Sequence, residues 1–178
     1  MTITASIEKR DTAVIRALVA SEETYLNLDR KMDTLSKGLL DLRLPGPAVG
    51  AERLFSKSVT TVDLVPAPEA TAIDTSEFKA HSWPLAAITK QTDSVKLWRP
   101  MLDNISYFEH AKVKIVSGEH PDGDMWKYDA KGSFEALAHM KSDKWHSFEG
   151  RMDLTWERLK TGNDGAGEWQ ITGWKTTK

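Results

Sequence analysis

Two side chains in this sequence have the type and setting to move a proton, His146 and Asp63. His146 opens a segment, Trp145 to Leu159, whose even positions Phe148, Gly150, Met152, Leu154 and Trp156 form the apolar set. Parity therefore turns its imidazole toward the buried side, near Met140 and Phe148, where it could serve as a general acid or base. A partly exposed residue at a sheet corner is the plainer reading of the same position. Asp63 lies among Val62, Leu64 and Val65. Burial there would raise a carboxyl pKa, as a proton-shuttling acid requires, whereas a solvated strand carboxylate would do no chemistry.

Four aromatic residues are candidates for lining a ligand cavity: Tyr25, Trp126, Tyr128 and Trp156, with the two hydroxyls supplying hydrogen bonds. Aromatic rings at this spacing also fill cores, and the seven tryptophans suit either use. No metal site is expected. His81, His110, His120, His139 and His146 show neither His-x-His nor His-Glu-x-x-His spacing, and there is no cysteine. There is no Gly-x-Ser-x-Gly elbow, and the glycines from Gly162 to Gly167 precede no helix, so they read as a hairpin turn. No cofactor is implied.

The elements that must position these residues are clearest in the last third of the chain. From Met125 to Lys141 the even positions are Trp126, Tyr128, Ala130, Gly132, Phe134, Ala136, Ala138 and Met140, and the odd positions are mostly charged. One face is apolar and the other wet. A turn over Ser142, Asp143 and Lys144 would pair Lys141 with Trp145, His146 with Met140 and Trp156 with Ala130. It would also set Arg151 across from Glu135, and Glu157 less favourably across from Asp129. Pairing Leu159 with Glu168 adds a third strand that brings Trp169 and Ile171 onto the apolar face. His139 is sent outward by the same parity. Leu137, Trp145, Leu159 and Trp174 fall among the charges of the wet face.

Upstream, Ile105 to Ser117 alternates, with Ala111, Val113 and Ile115 on one side and His110, Lys112 and Lys114 on the other. His120-Pro121-Asp122-Gly123 reads as a turn. Asp11 is a plausible N-cap for helix beginning near residue 12, whose apolar face runs through Val14, Ile15, Leu18, Val19, Tyr25, Leu28, Met32, Leu35 and Leu39. Two helices with a break near Asp29 to Asp33 are expected, ended by Pro45-Gly46-Pro47. A short helix over Ala51 to Ser56, a strand over Ser58 to Val65, a weaker strand over Phe78 to Trp83 and a short helix capped by Asp93 complete the prediction.

Composition narrows the classes. A chain of 178 residues with 40% hydrophobic content builds one well-buried core, so residues 1–178 read as a single domain. The strand-like ending at Trp174 is compatible with a module of a longer protein. With 24 basic against 26 acidic residues, the chain lacks the basic patch that a phosphate backbone needs, so no nucleic-acid partner is expected. No apolar run approaches the roughly 20 residues of a bilayer span, so no membrane partner is expected, and the charged start at Glu8 to Asp11 is not a secretory signal. The compartment is left open.

Helices first, a short strand or two, then long antiparallel strands ending in Gly-Glu-Trp-Gln-Ile-Thr-Gly-Trp (Gly167 to Trp174) resemble the nuclear transport factor 2-like superfamily, including its SnoaL-like branch. The likeness covers most of the chain, residues 66–104 least. It implies an α+β fold in which N-terminal helices pack into the concave face of a curved, mainly antiparallel sheet, forming a cone whose mouth often holds a small molecule. Members include cyclases, dehydratases, isomerases and non-catalytic binding domains. Ketosteroid isomerase-like members use an acid from a strand lining the cone, but no residue-by-residue match carries this over to Asp63. The expectation is a domain binding a small hydrophobic molecule in an apolar cone, with a SnoaL-like enzyme using Asp63 or His146 as the alternative. A homodimer through the wet face of the sheet is also expected.

Overall fold

The computed structural model describes residues 3–43, 54–61, 72–74, 79–81, 90–93, 99, 102–159 and 167–177. Asp63, most of the Gly162 to Gly167 loop and residues 51–53 of the expected short helix lie outside them. The N-terminal helix, α1 (Ile3–Leu40), packs on a six-stranded curved sheet, the α+β arrangement expected from the sequence. The strands are β1 (Phe55–Thr61), β2 (Ala72–Asp74), β3 (Lys79–His81), β4 (Lys90–Asp93), β5 (Ile105–Glu119), β6 (Lys127–Met140), β7 (Trp145–Leu159) and β8 (Glu168–Thr176). In the main sheet the order is β4-β1-β8-β7-β6-β5, and β2 and β3 form a separate two-stranded ribbon. Among the described strands all pairings are antiparallel except β1 with β8. Phe55 opens a strand where a helix was expected; Asp93 closes β4, and of the short helix expected after it residues 94–98 lie outside the described residues while Arg99 and Leu102 are helical.

The predicted parity of β6 and β7 holds: Tyr128, Ala130, Met152, Leu154 and Trp156 are buried and their odd-numbered neighbours face outward. The predicted register is off by two residues. His139 pairs with Trp145, Ala138 with His146, Ser133 with Arg151 and Tyr128 with Trp156. The loop is Lys141-Ser142-Asp143, closed by the Met140 amide donating to the Lys144 carbonyl at 2.8 Å, with Asp143 left-handed at φ 61°. A three-residue hairpin loop places its left-handed residue last, and aspartate tolerates that conformation far better than the lysine the expected loop would have put there. The shift separates Glu157 from Asp129 and sets it across from Lys127. It also leaves Glu135 beside Glu149, compensated from the other side, where Lys112 is its partner in β5 and His110 Nε2 lies 3.4 Å from its carboxylate.

Two irregularities decide which side chains reach the core. In β5, register shifts on either side of Phe108 bring Ile105, Phe108 and Ala111 inward at spacings of three, after which Val113 and Ile115 alternate normally. In β8 the expected pairs of Leu159 with Glu168 and Trp156 with Ile171 are present, but a shift at Thr172 moves the next pairs to Thr155 with Gly173 and Leu154 with Trp174. One extra residue reverses the parity, so Trp174, expected on the wet face, is buried against Phe55 with ring centroids 5.9 Å apart.

α1 is one uninterrupted helix rather than two. Nothing between Asp29 and Asp33 removes a backbone donor, and the buried positions Leu28, Met32, Leu35 and Leu39 stay in phase across that stretch. It begins upstream of Asp11, which is therefore not its cap, and stops before Pro45. Leu42 turns left-handed at φ 54°, donating to Leu39 O, and Arg43 donates to Gly38 O, the paired bonds of a Schellman motif. Only the second half of the helix meets the sheet. Val14, Ile15, Leu18 and Val19 are exposed, contrary to the continuous buried face expected.

α1 also bonds directly to the outer edge of β5, the last strand of the sheet. Ser36 Oγ accepts the Val113 amide at 2.8 Å and shares its own proton between Met32 O (2.9 Å) and Val113 O (3.3 Å). The Tyr25 hydroxyl donates to Ile115 O at 3.2 Å, and the Ile115 amide points at Asp29 Oδ1 at 3.4 Å. These groups face away from β6, and a buried backbone donor left unpaired would be costly.

Candidate functional site

The described side chains gather most of their aromatic and hydroxyl groups at the end of the sheet where β5 turns into β6. Tyr128 is central, only 1% exposed, and paired across the strands with Trp156. Its hydroxyl bonds to Ser21, and burial pushes its pKa up, the Ser21 bond opposing the shift while Tyr25 and Glu119 add to it. Tyr25 lies against the core with its hydroxyl committed to β5. Of the four predicted lining residues, Tyr25, Tyr128 and Trp156 thus come together around α1 and the concave face. Trp126 does not, because it precedes β6 and is 40% exposed, its ring under the Arg158 guanidinium at 5.6 Å while Arg158 Nε donates to Gly167 O.

His146 is solvent-exposed, not buried as parity suggested. Its residue number has the apolar parity and its ring lies 6.1 Å from Phe148, but it stands at the start of β7, before burial begins. Asp63, outside the described residues, cannot be joined to it.

His120 opens the predicted turn His120-Pro121-Asp122-Gly123. Its ring contacts Tyr128 edge-on at 5.0 Å and lies 6.2 Å from Trp169. Nδ1 faces the carbonyls of Lys127 (2.7 Å) and Asp124 (3.2 Å), so it carries a hydrogen, because a carbonyl can only accept. Nε2 faces Thr24 Oγ1 at 3.2 Å, and Thr24 in turn lies 2.9 Å from Ala20 O. The two ring nitrogens thus reach to α1 on one side and to the β5–β6 turn on the other, so His120 links them. No local pattern announces this role, since the partners are distant in sequence.

On the outer face a shallow groove of about 560 Å³ is lined by Ser117, Glu119, Asp129, Lys131, Asp153 and Thr155 among others. No group of three or more potential ligands among the described residues is arranged to hold a metal ion. Tyr107, His139 and Trp145 form an aromatic row across β5, β6 and β7, with Tyr107 stacked on His139 at 5.2 Å and Trp145 edge-on to both. No described helix is long and apolar enough to cross a membrane.

No protein-family model matches the sequence, and no curated protein matches it. Among solved structures the chain is similar to a nuclear transport factor 2 (NTF2-like) superfamily protein from Salmonella enterica subsp. enterica serovar Typhimurium str. LT2, with 11% identity, 89% of each chain covered and a TM-score of 0.48.

Proposed function

We propose that this protein is a small-molecule-binding or accessory domain whose ligand is an apolar molecule bearing a hydrogen-bond acceptor, held on the concave face of the sheet. The supporting observation is Trp156. Its side chain is fully buried, and its indole Nε1–H has no acceptor among the described residues. Leaving such a donor unsatisfied costs about 1–3 kcal/mol, and because the ring has no accessible surface, a ligand carbonyl or ether oxygen would recover that cost only where the neighbouring side chains part to admit it. Tyr128 and Ile171 flank it on the neighbouring strands. The buried polar residues described are Ser36, Thr61 and Gln170, none of which ionises near neutral pH, and this favours binding over proton transfer. With His146 exposed, the SnoaL-like catalytic alternative has no supporting observation among the described residues.

A neutral fluorescent ketone, 6-propionyl-2-(dimethylamino)naphthalene, tests the reading against naphthalene, which has no acceptor. Saturable binding of the ketone is expected, and Trp156→Phe should weaken it about tenfold, the worth of one hydrogen bond, while leaving naphthalene unaffected. Absence of saturable binding of either probe to the native protein would remove the proposal.

A further inference from the structure

β5 is fifteen residues long and ends the sheet, so its outer row of amides and carbonyls is the kind of edge on which another strand adds. The chain covers that edge with a helix. Tyr25, Asp29 and Ser36 lie along α1 and engage both the amide and the carbonyl of Val113 and of Ile115. These are the alternate outward-facing groups that a seventh strand would bond. We propose that α1 is an edge guard, its three polar side chains occupying the hydrogen-bonding positions of an added strand and so preventing a second copy of this chain from pairing with β5.

The arrangement commits to a second copy because the guarded row belongs to a strand every copy carries, and because β5 already shows other defences against self-pairing. Three register shifts twist it, and Lys112 and Lys114 stand exposed on the face away from the core, so an antiparallel copy centred on Val113 would set lysine against lysine. Twist and charge weaken such pairing without satisfying the edge. The Ser36 hydroxyl does satisfy it, and with the shortest of these contacts: its oxygen is the acceptor for the Val113 amide. Without it that donor is unpaired beneath α1, and the carbonyl of another chain would satisfy it once the helix shifts aside.

The test compares native protein with Ser36→Ala and Ser36→Thr by sedimentation and by amide exchange at low and high protein concentration. Ser36→Ala is expected to associate further than the native protein as concentration rises, with Val113 and Ile115 amides slowing about tenfold or more in the associated form. Ser36→Thr keeps the hydroxyl and should behave as the native chain does. A folded Ser36→Ala whose association state matches the native protein would overturn the proposal, as would association without slowing at Val113 and Ile115. The native chain supplies a readout that survives a folding failure of the variant: the Val113 amide should exchange only when α1 detaches. Exchange near the rate of an unprotected amide would equally refute the guard.

Discussion

Gly118 in β5 lies directly against the buried phenol of Tyr128, and replacing it with alanine probes how rigidly that end of the sheet is packed. A Cβ built there would stand 2.4 Å from Tyr128 Cε1 and 2.9 Å from both Tyr128 Cζ and Asp129 O. Carbon atoms in contact sit at about 3.5–4.0 Å, so the ring must retreat by roughly 1 Å. It has nowhere to go. Tyr128 is held by Ser21 through its hydroxyl, by the edge-on ring of His120 and by Trp156 on the next strand. Gly118 is not left-handed, so alanine meets no backbone penalty, and at an unobstructed position the exchange would stabilise by about 0.4–1 kcal/mol. Overpacking reverses the sign, with an expected net loss of about 1–3 kcal/mol. Urea unfolding followed by far-ultraviolet circular dichroism should show a lower midpoint at unchanged slope. In a Tyr128→Ala background the ring is gone and only the Asp129 carbonyl at 2.9 Å remains, so the loss caused by Gly118→Ala should shrink, the difference measuring the coupling. A Gly118→Ala protein as stable as the parent would refute the packing argument.

Met32→Ala removes a fully buried side chain from the sheet-facing half of α1 and should cost about 2–5 kcal/mol. Leu18→Ala, in the exposed half of the same helix, should change stability by about 0.5 kcal/mol or less, and equal losses in chemical denaturation would contradict the half-covered helix. Because the folded-state pKa of Tyr128 is raised above its ordinary value of 10.0, its contribution is fully present below pH 10. It is lost as pH climbs from there through the folded pKa, since the unfolded chain releases the proton first. Stability measured against pH should therefore fall more steeply above pH 10 in the native protein than in Tyr128→Phe, and identical alkaline limbs would argue against the burial.

Much of the sheet was legible because its information is local and repetitive. Alternation of apolar and polar residues assigns each side chain to a face whatever its exact partner, which is why the buried set of β6 and β7 was right while the register slipped by two. A shift of two preserves parity, so only the turn could distinguish the alternatives, and it did so through the left-handed conformation that Asp143 adopts and Lys144 would resist. The β8 pairing from Leu159 to Trp156 was correct up to Thr172, where one extra residue turned Trp174 inward. A bulge changes the count without changing composition, so alternation cannot foresee it.

The candidate site was less legible because its members are joined across the fold. His146 carried the parity of a buried residue, but burial also depends on what covers that end of the strand, and nothing in its neighbours encodes that. His120 sat in a turn, and only the approach of Thr24 and Tyr128 gave its two nitrogens their roles.

What the sequence by itself determined was the kind of fold: helix before long antiparallel strands, one apolar face shared by β6, β7 and β8, and the absence of thiol chemistry. Those features follow from residue type and period. Tertiary structure alone decided that half of α1 stands clear of the sheet, that Ser36 rather than another strand satisfies the Val113 amide, and that the Trp156 indole N–H is buried without an acceptor among the described residues. Each depends on the distance between groups far apart in the chain, which periodicity does not contain.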